Sequence, residues 1–311
     1  MGRRAASQEG ATAAVDTAAA TGKRRPRRAA RIIAIVLAVI LVLFGGFTAV
    51  SHGVYHRSNM ATAAELLFRI ANTKAKFSDP DECAAYIAKR AAAGEYTLNV
   101  RLKSAVTETV VDGSRVYTLA AAGEETCVVL YLHGGAYIND ANASHWNFCD
   151  RLARELGARV VFPIYPLAPN HTWEETYTLV TDVYRDILGT TSLPVVIMGD
   201  SAGGGLAVAF CEYLDTIGLP QPDRLILLSP WMDVSMSNPE AADFEDVDPM
   251  LSAYGLVEMG RCWAGDLPLS DYRISPIFGD ISPLRNVTLF VGTREIFYPD
   301  VTLFARMLEA A

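Results

Sequence analysis

The sequence predicts an α/β fold: an open, mostly parallel sheet with helices on both faces, preceded by one apolar helix long enough to cross a bilayer. Three observations carry this expectation. Short, unbroken apolar runs alternate with helical stretches through the second half of the chain, which is how strands buried on both faces read. Residues 32–50, IIAIVLAVILVLFGGFTAV, hold no charge. At residues 199–203, GDSAG, a serine hedged by two glycines stands where a strand hands over to a helix.

Taken in order, residues 1–31 carry eight Lys/Arg against Glu9 and Asp16, a net charge of +6, which leaves −14 of the total −8 to the remainder. Rich in Ala, Thr and Gly, this stretch reads as a disordered basic tail. The run 32–50 makes a helix of about 29 Å, the thickness of a bilayer core. Dense positive charge just before it keeps the tail cytoplasmic and puts the body outside. A cleaved signal peptide has a shorter apolar core and leading region, so a retained signal-anchor is expected, with cleavage near Ala49-Val50-Ser51 as the alternative. The acidic body argues against nucleic-acid binding.

From about residue 58 the pattern is globular. Residues 59–77 and 79–94 read as helices, the second opened by Asp79-Pro80 and closed by Gly94. Strands follow at 127–132, 158–165, 194–199, 224–229 and 287–292. Helices lie between them at 144–156, 173–188 and 202–217, and a last helix begins near Asp300. In such sheets chemistry gathers at the carboxyl ends of the strands. The five cysteines have no CxxC spacing and read as small hydrophobes. No metal site, Walker lysine or GxGxxG spacing appears, so no cofactor is expected.

The glycine-hedged serine carries the chemistry. A strand, a very sharp turn and a helix expose the Ser201 hydroxyl above the sheet, and Gly199 and Gly203 leave room for the turn. The helix behind it favours developing negative charge. A second segment, YLHGGAY at 131–137, follows another strand. Its glycines let backbone N–H groups face an oxyanion, so Gly134, Gly135 and Ala202 are the expected donors. His133 reads as a loop brace and Asp200 as a residue holding the turn.

HGGAY, YPLAPNHTWEE, GDSAGGG, LSPWMD and VGTREIFYPD occur here in an order that resembles the hormone-sensitive-lipase-like branch of the α/β-hydrolases, over roughly residues 60–311. The resemblance implies a carboxylic-ester hydrolase with a Ser–acid–His triad and a helical cap over an acyl pocket. The cap would come from segments 58–95 and 232–265. Small to medium uncharged esters would be the substrates. His171 matches a loop histidine that is not catalytic. Where the family has an aspartate after the last strand, this chain offers Glu295, with Asp300 and Asp233 as runners-up. Asp248 reads as a helix-entry residue before Pro249.

In this fold the histidine follows the acid. All five histidines (His52, His56, His133, His145 and His171) precede Ser201, so the base is expected beyond Ala311, in a longer parent chain, and the chain as written is expected to be nearly inactive. A non-catalytic ligand-binding module, or an amidase or peptidase on the same fold, stays open as an alternative.

Overall fold

A computed structural model of the chain describes residues 25–311. The chain divides into two compact units, Met1–Ala64 and Glu65–Ala311. In the first, helix α1 spans Arg25–Gly53. Within its Arg28–Gly53 stretch the most apolar 18 residues have a mean hydropathy of 2.9, and none of them is buried within the protein. The helix outruns the apolar run 32–50 at both ends, so residues 25–31, expected in the disordered tail, are helical. Arg and Ala are good helix formers, and Pro26 falls in the first turn, where it costs little. The rest of the expected tail, residues 1–24, lies outside the described residues.

The region expected as one helix over 59–77 is two, α2 (Asn59–Ala71) and α3 (Thr73–Ser78). Asn72 breaks it in the left-handed conformation, φ 50°, which Asn tolerates better than most residues. Helix α4 (Pro80–Ala91) begins as expected: Asp79 accepts the Glu82 N–H and Pro80 fills the first helical position.

The second unit is built on seven strands: β1 (Val106–Val111), β2 (Ser114–Leu119), β3 (Cys127–Leu132), β4 (Ala158–Pro163), β5 (Val195–Asp200), β6 (Arg224–Leu228) and β7 (Val287–Phe290). Their order in the sheet is β1-β2-β4-β3-β5-β6-β7. The five from β4 to β7 run parallel, and β1–β2 is an antiparallel hairpin added at one edge. The sequence pattern predicts no strand over these two segments. Helices α5 (Ala143–Glu155), α6 (Trp173–Thr190), α7 (Ala202–Thr216), α8 (Ala253–Ala264) and α9 (Tyr298–Ala310) complete the unit.

Alternate residues of β3 serve two separate cores. Val128, Leu130 and Leu132 pack with α7 residues such as Leu206 and Phe210, while Val129 and Tyr131 pack with Trp146 of α5 and Phe162. A strand apolar on both faces has no polar alternation to show, hence the unbroken runs. Both cores hold the parallel strands rigid, and their carboxyl ends carry the loops described next.

Candidate active site

Strand β5 ends at Asp200 and α7 begins at Ala202, so Ser201 alone makes the turn. Its backbone sits at φ 51°, ψ −122°, a region that costs a side-chain-bearing residue about 1–3 kcal/mol. The neighbours hold it there. The Ser201 N–H donates to the Leu228 carbonyl at 2.9 Å, and its own carbonyl accepts from Trp231 N–H at 2.9 Å and Gly205 N–H at 3.0 Å. Both flanking glycines are sterically required. A Cβ on Gly199 would overlap the Gly203 carbonyl, and one on Gly203 would overlap the Leu132 carbonyl. Gly204 and Gly205 are equally hemmed in, by Pro230 and by the Trp231 carbonyl.

The 133–137 loop is joined to this turn by one carboxylate. Asp200 Oδ1 accepts the Tyr131 hydroxyl at 2.7 Å and the Gly134 N–H at 3.0 Å, and Oδ2 lies 3.2 Å from His145 Nε2. Burial works to raise the Asp200 pKa, but His145, Tyr131 and the Gly134 N–H outweigh it and hold the carboxyl below its ordinary value. This bonding corrects one expectation. The Gly134 N–H is already committed to Asp200, which removes it from the donors available to an oxyanion. Gly135, at φ 134°, and Ala202, the first residue of α7, keep that capacity; the first N–H of a helix has no intrahelical acceptor. A Cβ on Gly134 would meet the Asp200 carboxylate, and one on Gly135 the Asn139 carbonyl.

His133 is fully buried, stacked 4.3 Å from Tyr165, with Nδ1 2.8 Å from the Gly134 carbonyl. Burial lowers its pKa to about 4, so the ring is neutral. His145 was not singled out from sequence, yet it lines the cavity beside Ser201. Its Nδ1 accepts the Asn142 N–H at 3.0 Å, which leaves the proton on Nε2, facing Asp200. Both nitrogens are thereby engaged, and neither is placed to take a proton from serine. His171 is half exposed and 3.5 Å from Glu175.

Glu295 follows β7. Its Oε1 accepts the Gly292 N–H at 2.9 Å, and Ser229, at the end of β6, hydrogen bonds the same carboxylate. Burial raises its pKa, against those two hydrogen bonds. Since β5, β6 and β7 are adjacent and parallel, Glu295 and Ser201 both follow the carboxyl ends of their strands on the same side of the sheet. Of the runners-up, Asp233 is fully hydrogen bonded, whereas Asp300 is buried with its Oδ2 unpaired. Asp233 accepts the N–H and hydroxyl groups of both Ser235 and Ser237, which saturates it as a turn brace. Asp300 accepts Asn238 Nδ2 at 2.7 Å, and burial pushes its pKa up to about 6. Asp248, expected as a helix-entry residue, stands in a loop instead, since α8 begins only at Ala253: Oδ1 accepts from Met250 and Leu251, and Oδ2 accepts the Ile296 N–H at 3.0 Å. It thus fastens the 246–251 loop to the segment bearing Glu295.

A cavity of about 350 Å³ opens over Ser201. Gly134, Gly135, His145 and Asp200 line its polar side, and Phe77, Met250, Leu251, Leu256 and Met259 its apolar side. The apolar wall comes from α3, from α8 and from the loop before α8. A few polar groups against an apolar wall is the usual make-up of a small-molecule site.

Against known proteins, the profile of the alpha/beta hydrolase fold matches residues 129–311. An esterase of Acinetobacter venetianus is 30% identical over 202 residues, covering 64% of this chain and 67% of that protein. A triacylglycerol lipase of Mycobacterium tuberculosis is 30% identical over 201 residues, 63% of this chain and 41% of its own length. Among solved structures, a hormone-sensitive lipase from a metagenome library superposes with a TM-score of 0.66 at 27% identity, over 80% of this chain and 84% of that one.

Proposed function

The chain belongs to the α/β-hydrolase fold family, and from that premise we propose that it is part of a membrane-anchored serine carboxylic-ester hydrolase. Ser201 Oγ attacks the ester carbonyl, and the oxyanion is received by the Gly135 and Ala202 N–H groups. The serine proton passes to a histidine oriented by Glu295 and then to the departing alcohol. Water, deprotonated by the same histidine, releases the acid and restores Ser201. His133 and His145 have their ring nitrogens committed or buried, and every histidine present precedes Ser201 where the fold's order puts the base last. The reading therefore assigns the base to a residue outside these 311. Helices α3, α4 and α8 act as the cap, and the apolar wall of the cavity favours small to medium uncharged acyl chains. Helix α1 spans the membrane with the N-terminus cytoplasmic and the catalytic unit outside.

The observation that carries this reading is the left-handed backbone of Ser201 beneath the cavity, with the 133–137 loop held beside it by Asp200. The test uses protein translated through whatever follows Ala311 in the gene. Hydrolysis of p-nitrophenyl acetate and octanoate is expected, falling by roughly 10⁶ in kcat for Ser201→Ala, together with loss of fluorophosphonate labelling. Faster turnover of an aryl amide would make it an amidase. Silence on every ester and amide, with no probe labelling, would leave a ligand-binding module.

A further inference from the structure

Helix α2 is amphipathic the wrong way round for a helix packed on a protein. Its polar side is the one held inward. Glu65 Oε1 accepts Arg69 Nε at 2.8 Å and lies 3.4 Å from Arg294, and Arg69 Nη2 donates to the Val247 carbonyl at 3.1 Å. The Glu65 side chain is only 13% exposed. The apolar side faces away: Leu66 is 51% exposed, Leu67 65% and Ile70 72%. Met60, one heptad before Leu67, is on the same face and 80% exposed. Isolated exposed leucines are ordinary. A whole apolar helix face turned outward while the charged face makes the internal contacts is not, and it marks a docking surface.

We propose that this face of α2 docks on the lipid bilayer, lying in its interface. The proposal rests on α1 spanning the membrane. Only residues 54–58 separate α1 from α2, and five residues reach at most about 18 Å. The start of α2 therefore stays close to the membrane surface whatever else in the cell competes for its apolar side. The short connection also carries Tyr55 and Arg57, residue types that settle at the headgroup level. A helix with one apolar face and one charged face, lying flat in that zone, is the established form of interfacial binding.

The position of α2 links this docking to the cavity. Phe68 and Arg69 of α2 border the same small depression as Asp248 and Pro249, and the next residue, Met250, lines the cavity over Ser201 and is itself 37% exposed. Thr73 and Phe77 of the adjoining α3 line it as well. Seating α2 in the interface brings that apolar rim down to the lipid, which gives an ester dissolved in the bilayer a direct way to the cavity.

The test uses the full chain reconstituted into phosphatidylcholine/phosphatidylglycerol vesicles, with p-benzoylphenylalanine replacing one residue at a time and the photoadducts read by mass. Placed at Leu37, within α1, the probe reports the span. At Leu67 and Ile70 it reports docking, and at Thr178, on α6, background. Phospholipid adducts at 67 and 70 several-fold above those at 178 are the expected result. Lipid adducts at 37 with none at 67 and 70 would overturn docking while leaving the anchor intact. Chain-to-chain adducts at 67 would give the face to a second copy instead, and loss of lipid adducts at 37 would remove the anchor and the docking together. The readout does not depend on ester hydrolysis, so failure of the enzymatic reading is scored separately.

Discussion

Asp200 and Glu212 lie twelve positions apart, and their surroundings drive them in opposite directions. Three donors meet Asp200, and its pKa is depressed. Its contribution to stability is therefore present above the unfolded value near 3.9 and is lost only as pH falls through the lower folded value. Glu212, on α7, is buried with neither carboxyl oxygen hydrogen bonded. Burial, reinforced by the nearby charge of Asp280, raises its pKa to about 9. The folded chain keeps this proton while the unfolded chain releases it from about pH 4.5 upward, so stability falls as pH rises across that window up to about 9. Glu212→Gln, which is neutral at every pH, is expected to exceed the wild type by on the order of 3 kcal/mol at pH 7. The gain should shrink towards zero near pH 4.5. Urea unfolding at pH 5, 6, 7 and 8 measures it, and a difference that does not change with pH would refute the buried neutral acid.

At the scale of elements, the glycines divide by what surrounds them. Gly113 closes the β1–β2 hairpin at φ 78° with open space around it, after Asp112 at φ 46°. Gly203 has an ordinary φ, but the carbonyls of Leu132, at the end of β3, and of His133 just after it lie where its side chain would be. Gly113→Ala should therefore cost only backbone strain, about 1 kcal/mol. Gly203→Ala must push α7 off β3 and should cost beyond about 3 kcal/mol. Equal shifts in the urea midpoint would contradict this division. The same elements explain what the sequence could reveal. The parallel strands were legible to within a few residues because burial on both faces leaves an uninterrupted apolar run. The β1–β2 hairpin was not read, because β1 is an edge strand with four of its six residues exposed and looks polar; Asp112-Gly113 between two β-rich runs was the available signal. Ser201 was legible because its constraint is local, a turn needing glycines at fixed offsets. The loss of Gly134 as a donor and the placement of His145 were not, since both depend on the Asp200 carboxylate, which meets them from 66 and 55 residues away along the chain.

Over the whole molecule, charge and hydropathy are arranged end to end. Six Lys/Arg between positions 23 and 31 precede the apolar helix, and the remaining chain after residue 31 carries −14. Orientation in a membrane follows the basic residues flanking the span far more than net charge, so the acidic body is compatible with export and the basic cluster should set its direction. Alkaline phosphatase fused after Ala311 is then expected to be active in bacterial cells, and green fluorescent protein fused at the same point to be dark. Both fusions should remain in the carbonate-washed membrane pellet. Replacing Lys23, Arg24, Arg25, Arg27, Arg28 and Arg31 by Gln should lower the phosphatase signal as inverted molecules accumulate. A soluble, active phosphatase fusion would mean cleavage near Ala49-Val50-Ser51. That outcome would also remove the ground for the proposed docking of α2, which depends on α1 staying attached through the five-residue connection.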